Sequence, residues 1–307
     1  MNIYLSIVIP IYNEEKNIPE LYKQLKPILK KLSSKHEIIY INDGSRDNSL
    51  SLLKSLRRKD KKVKIINFSR NFGHMAALSA GLTHATGKKV VIMDADLQDP
   101  PKVIPEMYKK SHQGYDVVYA VKKDRKESVI KRLMFSTFYT ILNSIAQFKM
   151  PPNAGTFSLI DKKIAKIINS LPEKNRYFSG LRFWTGFSQT EVIYERQARF
   201  AGKSIPLRKH LKLAMDGMIS FSHIPLKISS LLGFIFAIIS SVLIIIIVLA
   251  KIFFGIGIIG WASTMSTILF VGSLQLLTLG IIGEYLARIY DEVKSRPEYI
   301  VSEKIGF

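Results

Sequence analysis

The sequence predicts an α/β domain with a mostly parallel sheet, followed by a pair of membrane-spanning helices. Two observations carry this expectation. Over residues 1–121, short runs that are apolar on both faces alternate with amphipathic stretches, the pattern of parallel strands covered by helices on both sides. From 228 to 250 the chain is almost wholly apolar and uncharged, about 34 Å as a helix against a hydrocarbon core of roughly 30 Å.

The strands are expected at 5–11 (LSIVIPI), 37–42 (EIIYIN), 63–68 (VKIINF), 89–94 (KVVIMD) and 116–121 (DVVYAV), with helices at 17–32 and 48–59. The opening MNIYLSIVIPIYNEE has no basic flank and no small-residue cleavage site, so it reads as a buried strand rather than a signal peptide. The absence of cysteine among 307 residues excludes disulfides, thiolate zinc sites and a cysteine nucleophile, and fits a reducing compartment. A net charge of +21 suits nucleic acid, an anionic membrane face or phosphorylated substrates. Nucleic acid is set aside, because the basic residues cluster beside apolar helices and the spans.

A second span is expected at about 262–286, where an uncharged stretch runs into GEYLARIY. The link KIFFGIGIIGW carries one charge, Lys251, and places Trp261 where an interfacial aromatic sits. The flanking segments are rich in Lys and Arg, which marks the cytosolic side, so both termini are expected there. The organisation is then a cytosolic domain over 1–225, spans within 226–290 and a cytosolic tail over 291–307, in a multi-pass protein of the inner (cytoplasmic) membrane. Ser273, Gly280 and Ala287 recur at intervals of seven, with Gly283 nearby. That small-residue face allows close contact within the hairpin or between subunits.

Parallel sheets bind ligands at the carboxyl ends of their strands. Four polar clusters fall there: Pro10, Tyr12, Asn13 and Glu14; Asn42 to Ser45, including Asp43; FSRNFG; and DADLQD. Neither GxGxxG nor GxxxxGK[ST] is present, which argues against nicotinamide or flavin binding and against a P-loop hydrolase. The edge offers carboxylates instead, which would repel a polyanionic substrate unless a cation intervened. Asp94, Asp96 and Gln98 alternate with Ala95 and Leu97, so they can face one ion, and hard oxygen ligands suit Mg2+ or Mn2+. Asp99, followed by Pro100 and Pro101, reads as a helix N-cap.

SIVIPIYNEEKNI, YINDGSRDNS, FSRNFGHMAALSAGLTHATG, MDADLQDPP, NAGTFSLID and GIIGEYLARIYDEVKSRPEYIV together resemble the family-2 polyprenyl-phosphate glycosyltransferases of GT-A (Rossmann-like) fold. That group includes bactoprenol glucosyltransferases and is similar to dolichol-phosphate mannose synthases. The resemblance implies inverting transfer of one sugar, from UDP-glucose or UDP-N-acetylglucosamine, to undecaprenyl phosphate at the cytosolic membrane face for cell-envelope glycan modification. Pro10, Tyr12, Glu14, Asp43 and Asp94 would hold the nucleotide sugar. Asp94, Asp96 and Gln98 would approach the metal and diphosphate. A homo-oligomer through the spans, a flippase and a second glycosyltransferase are further expected partners.

Two basic segments are expected to meet membrane lipid as interfacial helices, at about 126–146 and 204–222. Arg125, Arg132, Arg199 and Lys203 are the candidates for contact with the lipid phosphate, since guanidinium forks match phosphate oxygens. The chain departs from the resemblance at Thr156, where many relatives carry an acid often cast as a base. A phosphate monoester is already largely ionised at neutral pH and needs no base, so Thr156 is expected to hydrogen-bond the phosphate or the sugar. A catalytically silent scaffold of the same fold and a processive polysaccharide synthase are the alternatives. The synthase would be expected to show QxxRW and more spans, and GLRFW is not that motif.

Overall fold

The computed structural model describes residues 3–123, 151, 154–174, 176–195, 197, 200, 224–254 and 260–307. It separates into two units, one of residues 1–220 with 296–307 and one of residues 221–295. The expected interfacial helices, and with them Arg125, Arg132, Arg199 and Lys203, lie outside the described residues.

The first unit is built on an eight-stranded sheet of order β7-β5-β6-β4-β1-β2-β3-β8. The strands are β1 (Leu5–Ile11), β2 (His36–Asn42), β3 (Val63–Phe68), β4 (Lys89–Ile92), β5 (Val117–Lys123), β6 (Ala154–Asp161), β7 (Gln189–Glu195) and β8 (Val301–Ile305). Only β6 and β8 run antiparallel to their neighbours. The first three strands form as expected because they are apolar on both faces and buried on both, with Ile7, Ile9, Ile39 and Ile65 fully enclosed. Helices α1 (Asn17–Leu32), α2 (Ser49–Lys59), α3 (His74–His84), α4 (Ile104–Ser111), α5 (Lys162–Ser170) and α6 (Phe178–Trp184) lie between the strands. Helix α1 shows the logic: Ile18, Leu21, Leu25 and Leu29 recur at helical spacing and are all fully buried. Each such side chain contributes about 1.5–3 kcal/mol.

The end of β4 differs from the sequence expectation. Strand β4 stops at Ile92 rather than Asp94, and the acidic stretch that follows is a turn. Asp161 is the residue before α5 but makes no capping bond; its carboxylate pairs instead with Lys89 on the adjacent strand. The end of the chain also differs from a simple tail, because β8 pairs with β3 and covers what would be an open sheet edge.

In the second unit, α7 (Ile224–Phe254) and α8 (Trp261–Val293) are continuous helices. Helix α8 runs past residue 286 without a break, and Glu284 and Arg288 pair across one turn of it. Among the described residues, Ser263–Val293 is long and apolar enough to cross a membrane, and Ser229–Leu243 is a shorter apolar stretch. Phe236 of α7 meets Phe270 of α8 edge-on at 5.5 Å. The sheltered positions of α8 include Val271, Leu274, Thr278, Ile281, Tyr285, Arg288 and Glu292, at intervals of three and four, with Gly272 beside the first, whereas Ser273, Gly280, Gly283 and Ala287 are exposed.

At the amino-terminal edge of the sheet, Glu37 is fully buried. It accepts hydrogen bonds from the Ser6 hydroxyl (2.6 Å) and from Thr86 (2.8 Å), and pairs with Lys64 at 2.6 Å. Burial pushes its carboxyl up, but Lys64, Ser6 and Thr86 outweigh burial and hold it below the ordinary 4.5. Its contribution is therefore full above about pH 4.5 and is lost as the pH falls through the lower folded value. Glu37→Ala leaves Lys64 unpaired and is expected to cost about 3 kcal/mol. Thermal unfolding at pH 7 checks this, and the gap between variant and wild type should narrow below pH 4.5.

Candidate active site

The strand order reverses between β1 and β4. They pair only from Leu5–Lys89 to Val8–Ile92, while β1 continues beside β2 to Ile11. Beyond Val8 the two strands part, and the loops that follow them flank a crevice at the carboxyl edge. Pro10 is buried, two residues beyond the last β4 partner, so its missing N–H costs no ladder bond on that side.

The loops after β1 and β2 are stitched together. Asn13 donates its amide to the Ser45 hydroxyl (3.0 Å) and accepts from the Arg46 amide (2.8 Å). Glu14 donates to the Ser49 hydroxyl (3.0 Å), Glu15 donates to Asp47 (3.1 Å), and the Asn48 amide donates back to Glu15 (3.0 Å). The Glu14 carboxylate accepts from the Asn17 carboxamide, which spends part of it on the start of α1. Tyr12, 43% exposed, takes no part in this stitching.

Asp43 is buried, and its two carboxylate oxygens accept from the amides of Phe72 (2.7 Å) and Gly73 (3.0 Å) at the start of α3. Burial raises its pKa against the pull of these amides. Gly44 beside it has φ +63°, and a Cβ there would lie 2.4 Å from the Arg70 carbonyl carbon. Asp43 therefore holds the FSRNFG loop in place as well as facing the crevice edge.

After β4, Asp94, Asp96 and Gln98 are partly exposed while Ala95, Leu97 and Asp99 are buried. The expected alternation in exposure is present, but a turn produces it: the Gln98 amide donates to Asp96 Oδ1 (3.1 Å) and Leu97 adopts φ +62°. A bulky residue in that region is uncommon and is strained by about 1–3 kcal/mol, a pattern found at functional sites. Asp94 Oδ1 is buried and accepts no hydrogen bond, with His74 Nε2 3.5 Å away. Among the described residues no three His, Cys, Asp or Glu side chains converge as a ready-made metal cage. Two carboxylates with an adjacent carboxamide, one oxygen orphaned, fit a hard divalent ion that completes its shell with water and substrate phosphate.

Thr156 lies on β6, two residues beyond Ser158, which makes the last pair with β4 at Ile92, so it stands at the end of the sheet where β4 gives way to the Asp94 turn. The β5–β6 register shifts at the same place, between Tyr119 and Val121. Pro10, Tyr12, Glu14, Asp43, Asp94, Asp96, Gln98 and Thr156 thus share one edge.

Asp99 overturns its reading as a cap. The short 3-10 turn Pro101–Val103 has no side-chain cap, and Asp99 is buried with the Tyr194 hydroxyl donating to it. Burial and then the Asp94 charge push its carboxyl up to about 6, against the pull of Lys122. Sequence reasoning also missed His74, although it directly follows the quoted FSRNFG cluster. Arg182 was missed too. It is wholly buried, donates to the Gly155 carbonyl (3.1 Å), and is lowered to about 10 by burial.

A mostly parallel sheet with helices on both faces and carboxylates at its switch point is the architecture of GT-A glycosyltransferases. Residues 6–168 match Glycosyl transferase family 2, and the chain belongs to that family and is a glycosyltransferase. It is 44% identical over 307 residues to the uncharacterized glycosyltransferase YkcC of Bacillus subtilis, covering 99% of this chain and 95% of that one. It is 39% identical over 302 residues to a bactoprenol glucosyl transferase of Shigella phage SfII, covering 97% of each. Among solved structures it is similar to glucosyl-3-phosphoglycerate synthase from Mycobacterium tuberculosis in complex with Mn2+, UDP and glucosyl-3-phosphoglycerate. That likeness is 18% identical with a TM-score of 0.49, over 69% of this chain and 76% of the other.

Gly44→Ala is expected to displace the Arg70–Asn71 backbone, because the nearest atoms are main chain and cannot rotate away. The variant should lose about 1–3 kcal/mol of stability. Its thermal midpoint, with amide exchange at Phe72 and Gly73, measures the displacement.

Proposed function

We propose that this glycosyltransferase transfers one sugar, with inversion, from a nucleotide diphosphate sugar to a polyprenyl phosphate at the cytosolic face of the membrane. The observation that carries the reading is the gathering of Tyr12, Asp43, Asp94 and Asp96 at the β1/β4 switch point, in a chain similar over nearly its whole length to bactoprenol glucosyl transferases. UDP-glucose is the favoured donor, with UDP-N-acetylglucosamine as the second choice.

In the proposed reaction a phosphate oxygen of the lipid attacks the anomeric carbon as the bond from that carbon to the diphosphate oxygen breaks. The nucleoside diphosphate departs with the electron pair. Tyr12 offers a face for the base, and Asp43 fixes the loop beside it. Asp94 and Asp96, with Gln98 adjacent, would hold Mg2+ or Mn2+, which supplies positive charge for the leaving diphosphate when bound. Thr156, at the same edge as Asp94, offers a hydroxyl to the acceptor phosphate or the sugar. Arg125, Arg132, Arg199 and Lys203 remain the proposed contacts of the lipid phosphate.

Membrane insertion is supported by the apolar side chains that α7 and α8 leave uncovered, among them Phe234 at 65%, Phe253 at 72% and Leu276 at 71% exposed. A water-facing surface of this kind would be strongly unfavourable. A two-span topology with both ends cytosolic is supported by β8: the chain leaves the sheet unit after residue 220 and rejoins the same sheet after 295. The exposed Ser273–Gly280–Ala287 face of α8 suits the proposed homo-oligomer, since α7 does not use it.

Membranes containing the protein, incubated with radiolabelled UDP-sugars, should yield a lipid-soluble product labile to mild acid; a failure with every sugar nucleotide favours a silent scaffold. Asp96→Asn should lower the rate by on the order of 100-fold, and near-wild-type turnover at saturating Mg2+ and Mn2+ would remove the metal assignment. Thr156→Val should reduce turnover while sparing binding of UDP.

A further inference from the structure

The C-terminal residues do more than cover a sheet edge. Where β8 begins, the β3–β8 ladder shifts register between Asn67 and Phe68, and the chain turns from pairing with a strand to gripping a loop. The Ser69 amide donates to the Ile300 carbonyl at 3.0 Å. The Tyr299 ring stacks on Phe68 with centroids 4.9 Å apart and planes within 12°. Phe68 in turn meets Phe72 edge-on at 5.8 Å. Phe72 is the residue whose amide, with that of Gly73, is accepted by Asp43. The loop of residues 69–73 is therefore held from two sides, by Asp43 and Gly44 after β2 and by Tyr299 and Ile300 from the end of the chain.

A second grip lies one residue earlier. Glu298 pairs with Arg176 Nε at 2.8 Å, both largely buried. The same guanidinium donates to the Ser79 hydroxyl of α3 (3.0 Å) and to the Leu171 carbonyl (2.8 Å). Helix α3 begins at His74, 3.5 Å from Asp94. Glu298 to Ile300 thus bear on both the loop that Asp43 clasps and the helix whose first residue faces the acidic turn.

We propose that the segment Glu298–Tyr299–Ile300 is a positioning element of the donor site, setting the 69–73 loop and Asp43 through the Tyr299–Phe68–Phe72 aromatic chain. Nucleotide affinity then depends on residues that lie beyond the second membrane helix in sequence. The proposal rests on the reading that this edge binds a nucleotide sugar. Tyr299 and Glu298 act through other residues and touch no reacting atom. A role confined to edge protection would make every contact of the terminal segment equivalent. The geometry makes them unequal, because Glu303 pairs with Lys54 on α2 and Phe307 packs on His84 and Lys64, all away from the loop.

The test uses the full-length chain in detergent or nanodiscs, with UDP and GDP plus MnCl2 as probes in titration calorimetry and hydrogen exchange on the peptide spanning 68–73. Tyr299→Ala should weaken nucleoside diphosphate binding and raise the donor KM by about tenfold. Turnover at saturating donor and the acceptor KM should stay within about twofold. Exchange at Phe72 and Gly73 should accelerate by about tenfold or more. Tyr299→Phe, which keeps the stack, should restore wild-type values, and Glu303→Gln should leave donor affinity unchanged. Glu298→Gln, a milder variant that removes only the charge of the ion pair, should shift binding in the same direction and serves if Tyr299→Ala does not fold. Wild-type affinity and loop protection in Tyr299→Ala would overturn the proposal, as would an equal loss of affinity in Glu303→Gln. If the wild-type chain binds neither nucleotide, the reading of the site fails instead. The exchange comparison then still decides whether the terminal segment holds the loop.

Discussion

The parting of β1 and β4 beyond Val8 is the constraint on which the site depends. Up to that point both strands belong to a continuous hydrogen-bonded sheet; past it, each must end in a loop that satisfies its own backbone groups. The molecule answers with side chains from the neighbouring loop: Ser45, Ser49 and Asp47 accept from the amides of Asn13, Glu14 and Glu15, and Asn13 and Glu15 accept from the amides of Arg46 and Asn48. Several positive-φ residues lie along the same edge, among them Asn13 (φ 56°), Gly44 (φ 63°) and Leu97 (φ 62°). A cross-linked rim results.

Burial and hydrogen bonding divide the carboxylates with shifted pKa values into two groups. Glu37 and Asp47 are each pushed up by burial, yet hydrogen-bond donors outweigh burial and leave both below the ordinary carboxylate value. Asp43 and Asp99 also receive hydrogen bonds, and burial still wins. For Asp99 the second cause is the charge of Asp94, so the acidic turn works against itself. In a protein of net charge +21, Asp94, Asp96 and Asp99 concentrate negative charge just beyond one strand end. The positive surplus elsewhere suits a phosphate-bearing lipid and an anionic membrane face.

The two units are covalently interleaved: the sheet domain is interrupted by the helical hairpin and completed after it. Such a chain cannot form its last sheet pairing until both long helices have been made. The order of synthesis therefore puts the contacts of Tyr299 and Ile300 with the 68–73 segment after both long helices have been made. Strand β8 protects the β3 edge and, through Tyr299, reaches the loop that Asp43 clasps.

Much of this was legible in the sequence because burial on both faces leaves a local mark. The apolar runs at 5–11 and 63–68 and the helix at 17–32 could be bounded to the residue, and the Asp94–Ala95–Asp96 exposure pattern was as expected, although a turn rather than an extended strand end produces it. The membership of Pro10, Tyr12, Asp43 and Asp94 in one edge followed from the rule for parallel sheets. Tertiary structure alone decided the rest: that Asp99 bonds Tyr194 instead of capping a helix, that His74 stands beside Asp94, that β6 runs antiparallel beside β4 and brings Thr156 to the same edge, and that β8 closes the sheet. Those are pairings between residues far apart in the chain. Hydrophobic periodicity reports which face of an element is buried, but only the packed fold brings a particular distant partner against it.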